Sequence, residues 1–179
     1  QTIADIVEAA SRARPDIEAV AATTILPFDV YRYPKNSALT LPDQTPYLGN
    51  FGADTRTMAA TPGIFQALGV PLLRGRAFDG RDRSDGQRVG IINETFAKRL
   101  FRDANPIGRQ AKLWKVPPQG ESTMETVLTI VGVVGDTDIG QVGQRNGGVL
   151  YVPLEQRPGN DVSLVVRASG DPLAALESV

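Results

Sequence analysis

The chain has 179 residues, 41% of them hydrophobic and 22% charged, with a formal net charge of −1 from 19 basic and 20 acidic side chains. Such a composition belongs to a folded protein with one fair-sized core or two small lobes; it excludes a disordered segment and gives none of the basic footprint that nucleic-acid binding requires. Cys and His are both absent, which removes disulfides, thiolate chemistry, Cys-type zinc sites and the usual general base near neutral pH.

Thr2 to Arg14 reads as a helix, because Ile3, Ile6, Val7, Ala10 and Ala13 recur at helical spacing and Pro15 closes it. Asp16–Leu26, with Ile17, Val20, Thr23, Thr24 and Ile25, predicts a strand. Pro27 to Pro46, with Pro34 and Pro42 inside it, reads as a long hairpin connection, and Tyr47–Ala60 has room for one or two strands interrupted by Gly49, Gly52 and Asp54. A short helix is expected next, with Thr61 as its cap, Pro62 in its first position and Gly69 at its left-handed end. Val70–Phe78 is expected to be extended, with Gly75 where the backbone bends or lies against another strand. Asp79–Arg88 reads as a solvated loop.

Val89–Ile92 predicts a buried strand, followed by a helix with Asn93 as cap, Glu94 early, Lys98, Arg99 and Arg102 late, and an apolar face of Phe96, Ala97, Leu100 and Phe101. Asn105-Pro106-Ile107-Gly108 is a turn. Strands are expected at Gln110–Val116, Thr126–Val134, Val149–Val152 and Val162–Val166, with a loop at Pro117–Thr123 and a helix capped by Asp171 and Pro172 at the end. The longest strongly apolar stretch, Val127–Val134, is interrupted by Thr129 and Gly132 and is far short of the roughly 20 residues that span a bilayer. No signal-peptide pattern precedes the first helix. Gln1 stands where a Met would, and the sequence stops inside the last helix, so the chain is expected to be a segment of a longer protein. The pattern is α+β, without the regular alternation of a doubly wound sheet.

Candidate chemistry is sparse. Asp136 and Asp138 follow an apolar strand and, with Asp79, Asp82 and Asp85, have the parts of a metal or acid–base cluster, of which Asp79, Asp82, Asp136 and Asp138 are the group worth testing. Interleaved Arg81 and Arg83, and the lack of any ligand spacing, favour solvated turn residues instead. Gly135, Gly140, Gly143, Gly147 and Gly148 match no phosphate-binding motif and read as a flexible loop. Asn93-Glu94-Thr95 fits a glycosylation acceptor, but a helix cap accounts for it more simply. Arg74-Gly75-Arg76 has the parts of an anion clamp and is expected to face water, and Trp114, near Lys112 and Lys115, is expected to be a partly buried sheet residue rather than a contact anchor.

An ordered series of blocks resembles the MacB-like periplasmic core domain of FtsX/MacB-type ABC-transporter permeases, in a style closest to the acidobacterial permeases. The blocks are Thr61-Pro62-Gly63-Ile64-Phe65, Leu68–Phe78 (LGVPLLRGRAF), Asp82, Val89–Phe101 (VGIINETFAKRLF), Asn105–Arg109 (NPIGR), Ile130–Asp136 (IVGVVGD), Val149–Pro153 (VLYVP) and Leu164–Arg167 (LVVR). The resemblance covers residues 60–176 well and the first sixty only in pattern. It implies a periplasmic domain of a bacterial inner-membrane protein with two lobes: a porter-like lobe from 1–60 and 126–179, and an inserted sabre-like lobe from 61–125. It implies no catalytic, cofactor or metal residues. It implies that the domain passes ATP-driven conformational change across the membrane for export or mechanotransmission. The implied partners are the transmembrane helices of the same permease, a cytoplasmic ABC ATPase, and a periplasmic adaptor or second permease copy. The alternative readings are a cell-envelope ligand- or peptide-binding module and, from the carboxylates Asp79, Asp82, Asp136 and Asp138, a carboxylate-based hydrolase or metal enzyme.

Overall fold

The computed structural model of the chain describes residues 3, 6, 7, 9, 15–26, 37–44, 55–115, 123–137, 148–159 and 161–169. The first four of these are helical, in keeping with the N-terminal periodicity. Then come β1 (Ile17–Thr23), β2 (Ser37–Thr40), β3 (Thr55–Ala60), α1 (Ile64–Leu68), β4 (Leu72–Gly75), β5 (Val89–Asn93), α2 (Glu94–Phe101), β6 (Gln110–Lys115), β7 (Thr123–Val134), β8 (Gly148–Pro153) and β9 (Ser163–Ala168).

The described strands form one mixed sheet in the order β2-β6-β7-β5-β8-β3-β1-β9, with β4 paired to β7 off this path. β3 runs parallel to β8, and β5 to β7, while the remaining pairs are antiparallel. The sheet curls back on itself, so that β2 packs against β3, and the Leu39 amide donates to Thr55 Oγ1 at 3.1 Å. One core lies on the face holding Leu39, Leu113, Leu128, Ile130, Ile92 and Leu150, closed by Phe96, Ala97 and Phe101 of α2. A second lies on the opposite face, where α1 and Phe78 cover Met58, Ile91, Val149 and Tyr151. Every residue of β8 is buried, which is why its sequence is a continuous apolar run rather than an alternating one. Phe65 meets Tyr151 edge to face, with ring centroids 4.9 Å apart.

Four local expectations need correction. The short helix starts at Ile64, with Gly63 as its cap at φ 88°; the Thr61 hydroxyl instead accepts the Ala22 amide at 2.8 Å and ties β1 to the end of β3. Gly69 does end this helix, at φ 69°. The span expected to be a hairpin connection contains β2, whose four residues are all buried. Its Ser37 and Thr40 obscured the strand, because β2 is buried by its pairing with β6 and by contact with β3 rather than by its own hydrophobicity. Finally, β7 starts three residues early, where Thr123 and Met124 pair with Lys115 and Trp114 of β6 and polar Glu125 falls at the irregularity before Thr126. The fourth correction concerns the loop after β4, and it bears on the site.

The segments expected to build a porter-like lobe, 1–60 with 126–179, and a sabre-like lobe, 61–125, both contribute strands to the sheet, and β5 lies between β7 and β8. The glycine block at 140, 143 and 147, Asp138, and the helix expected at Asp171 lie outside the described residues.

Candidate functional site

The polar residues singled out from the sequence fall into separate networks. Beyond β4, Arg76 reaches into the following loop and forks the Asp82 carboxylate, Nη1 to Oδ2 at 2.7 Å and Nη2 to Oδ1 at 2.8 Å. The Asp79 amide also donates to Asp82, at 3.0 Å. Asp82 is only 5% exposed. Burial pushes its pKa up, but the Arg76 hydrogen bonds, the Asp79 amide and the Arg76 charge outweigh burial and hold it below the ordinary carboxylate value. Asp79 is also held well below the ordinary carboxylate value, first by hydrogen bonding from the Arg81 side chain. Asp85 meets Arg83 at 4.0 Å, in water. The loop was expected to be solvated throughout and Arg76 to face water; instead Arg76 and Asp82 pin its first half to the sheet.

Asp136 is an exposed residue after its strand, as expected, and it is also bonded to the start of α2. It accepts from Asn93 Nδ2 at 2.7 Å, the Thr95 amide at 3.0 Å and the Thr95 hydroxyl at 2.6 Å. Asn93 caps α2 as expected, accepting from the Phe96 amide at 3.2 Å, and the same oxygen takes the Val149 amide at 3.0 Å. Asn93 is fully buried, so its glycosylation pattern is out of reach in the folded chain. Its side chain bridges β5, α2 and β8, while Asp136 places a negative charge at the positive end of the helix.

A third network was not foreseen. Gln156 donates to the carbonyls of Arg83 and Gln87 at 3.1 and 2.8 Å and accepts from the Val89 amide at 3.1 Å. Arg88 returns a bond to the Gln156 carbonyl at 2.7 Å. These partners are about seventy residues apart in sequence, so no local pattern signals them. Trp114 is half-buried on β6, as expected, and its Nε1 donates to Thr40 Oγ1 at 2.9 Å. Lys112 reaches the Pro42 carbonyl. Gly148 is a packing glycine, since a Cβ there would lie 2.6 Å from Phe96 Cγ.

Asp79 and Asp82 therefore come together as arginine-bound groups, whereas Asp136 serves α2. Among the described residues no three Asp or Glu side chains gather where they would hold a metal ion. Beside the Arg76–Asp82 network is a cavity of about 670 Å3, between the ends of β3 and β8 and the loop after β4.

Over residues 2–178 the chain matches the family described as the MacB-like periplasmic core domain. The chain belongs to that family. Its fold is similar to the periplasmic region of MacB from Actinobacillus actinomycetemcomitans, with a TM-score of 0.62 at 17% identity over 98% of this chain and 69% of that one. It is also similar to the extracellular domain of the noncanonic ABC-type transporter YknZ from Gram-positive bacteria, with a TM-score of 0.56 at 17% identity over 93% of this chain and 73% of that one. No curated protein matches the chain. The domain is thus an extracytoplasmic part of a MacB-type ABC-transporter permease. Among its described residues, no helix is long and apolar enough to cross a membrane.

Proposed function

We propose that this MacB-like periplasmic core domain is a non-catalytic transmission element. ATP hydrolysis on a separate cytoplasmic subunit or domain moves the transmembrane helices of the permease. The domain carries that movement outward, to expel a substrate or to act on a periplasmic adaptor or a second permease copy. The observation that carries this reading is mechanical: one sheet buries apolar side chains on both faces, and among the described residues the connections after β4, β7 and β8 are tied down by Arg76–Asp82, Asn93–Asp136 and the Gln156 bonds. A body packed in this way transmits displacement instead of absorbing it. Its buried or clustered carboxylates are bound to Arg76, Arg81 and the start of α2, which suits structure better than acid–base chemistry. The porter-like segment (1–60 with 126–179) and the sabre-like segment (61–125), which share this sheet, then move together.

The test uses the full permease with its ATPase. The domain contains no cysteine, so spin labels can be placed at Glu18 and Lys115, exposed positions in the two segments. Electron–electron distance measurements are expected to give the same Glu18–Lys115 separation with and without ATP, while the distance from Glu18 to a label on a membrane helix changes. A domain that stays still as nucleotide binds, or one whose internal distance changes, rules out the rigid transmitter.

A further inference from the structure

We infer that the cavity between the ends of β3 and β8 and the loop after β4 is a binding site for an uncharged hydrocarbon body, such as an acyl chain or a fused-ring skeleton. Its volume of about 670 Å3 falls within the range of roughly 300–1,000 Å3 typical of small-molecule sites. The walls come from Ile3, Pro62, Phe78, Pro153, Leu154 and Pro158. The polar groups that reach the site are already occupied by the protein. Both Asp82 oxygens are held by Arg76, the Asp79 oxygens by Arg81, and the Thr61 hydroxyl oxygen accepts from the Ala22 amide. Glu155 is exposed, and the Arg83 side chain is 70% exposed, so the rim has one charge of each sign standing in water. An ion entering this site would lose its hydration without a matching partner. A hydrocarbon body gains from every apolar surface it covers, at about 25 cal/mol per Å2.

The loop that roofs the cavity is the one pinned by Arg76 and Asp82, which keeps the cavity open without a ligand. This inference goes beyond the transmission reading and does not depend on it: a domain that moves rigidly with nucleotide can hold or lack this site.

The probe is N-phenyl-1-naphthylamine, uncharged and fluorescent in apolar surroundings, titrated into the 179-residue chain. Gly80 lines the cavity, and a Cβ added there meets no heavy atom within 4 Å. Gly80→Trp is therefore expected to fill the site, and Pro158→Glu to place a charge at its wall. Saturable one-to-one binding is expected for the unmodified chain, with affinity at least tenfold weaker in both variants and circular dichroism unchanged. Glu155→Gln and Arg83→Gln should stay within twofold. Competition by 1-dodecanol should exceed that by dodecanoate. If phosphatidylcholine vesicles float the unmodified chain but not Gly80→Trp, the hydrocarbon comes from a bilayer; displacement by free dodecanol alone assigns it to a free molecule. Absence of saturable binding, equal affinity in the folded variants, or equal competition by dodecanoate overturns the site. Should Gly80→Trp not fold, Pro158→Glu, on an exposed residue, decides the question.

Discussion

At the scale of single residues, Asn93 ties three elements together, with its one oxygen taking amides from α2 and β8 and its nitrogen giving to Asp136. Asn93→Ala leaves two buried amides without an acceptor and is expected to cost about 2–4 kcal/mol. Asp136→Ala, at a more exposed helix start, should cost about 1–2 kcal/mol. Because the two share a hydrogen bond, a double-mutant cycle read by urea unfolding should fall short of additivity. Asp82 gives a pH prediction. Its pKa is lowered in the folded chain, so its contribution is complete above the unfolded value of about 3.9 and is lost as pH falls through the lower folded value. Asp82→Asn should therefore be less stable than the unmodified chain at pH 6, with the gap narrowing below about pH 4 in thermal melts. An equal gap at pH 3 and pH 6 would remove the ion pair from the account.

Among the secondary elements, the β4–β7 pairing is the most sharply constrained. Gly75 adopts φ 75°, and a Cβ there would lie 2.1 Å from the Val131 carbonyl oxygen; at Gly132 it would lie 2.4 Å from that of Arg76. Both contacts are with backbone, which cannot step aside as a side chain can. Gly75→Ala and Gly132→Ala are each expected to lose about 3 kcal/mol or more, from overpacking and, at Gly75, left-handed strain. Gly80→Ala, in open space, should stay within about 1 kcal/mol of the parent. Urea midpoints at constant slope measure all three. Gly75 was legible beforehand as a glycine in an extended run, as were the Asn93 cap and the Gly69 terminus, because each rests on neighbours within a few residues. β2 was not legible, since Ser-Ala-Leu-Thr has no pattern of its own and is a strand only because β6 and β3 are there.

For the whole molecule, the sheet order has a thermodynamic consequence. β5 hydrogen-bonds to β7 on one side and β8 on the other, so strands from 61–125 and from 126–179 complete each other. Calorimetry should show one transition, with calorimetric and van't Hoff enthalpies in agreement. A fragment of residues 61–125 should remain unfolded, because β5 would lack both neighbours. Two resolved transitions would instead favour lobes that fold separately.

The amino-acid sequence by itself determined the local events and, through an ordered series of blocks, the family: where most strands run, how α2 is capped, which glycines bend the chain. Those depend on backbone conformation and short-range pattern, which a few adjacent residues specify. Only the tertiary structure decided that both segments share a sheet and that a tetrapeptide among prolines closes its curl. It also decided that Asp82, Asp136 and Gln156 anchor the loops in which they lie. Hydrogen-bond partners such as Gln156 and Gln87, 69 residues apart, are chosen by proximity in space, and no spacing along the chain encodes that.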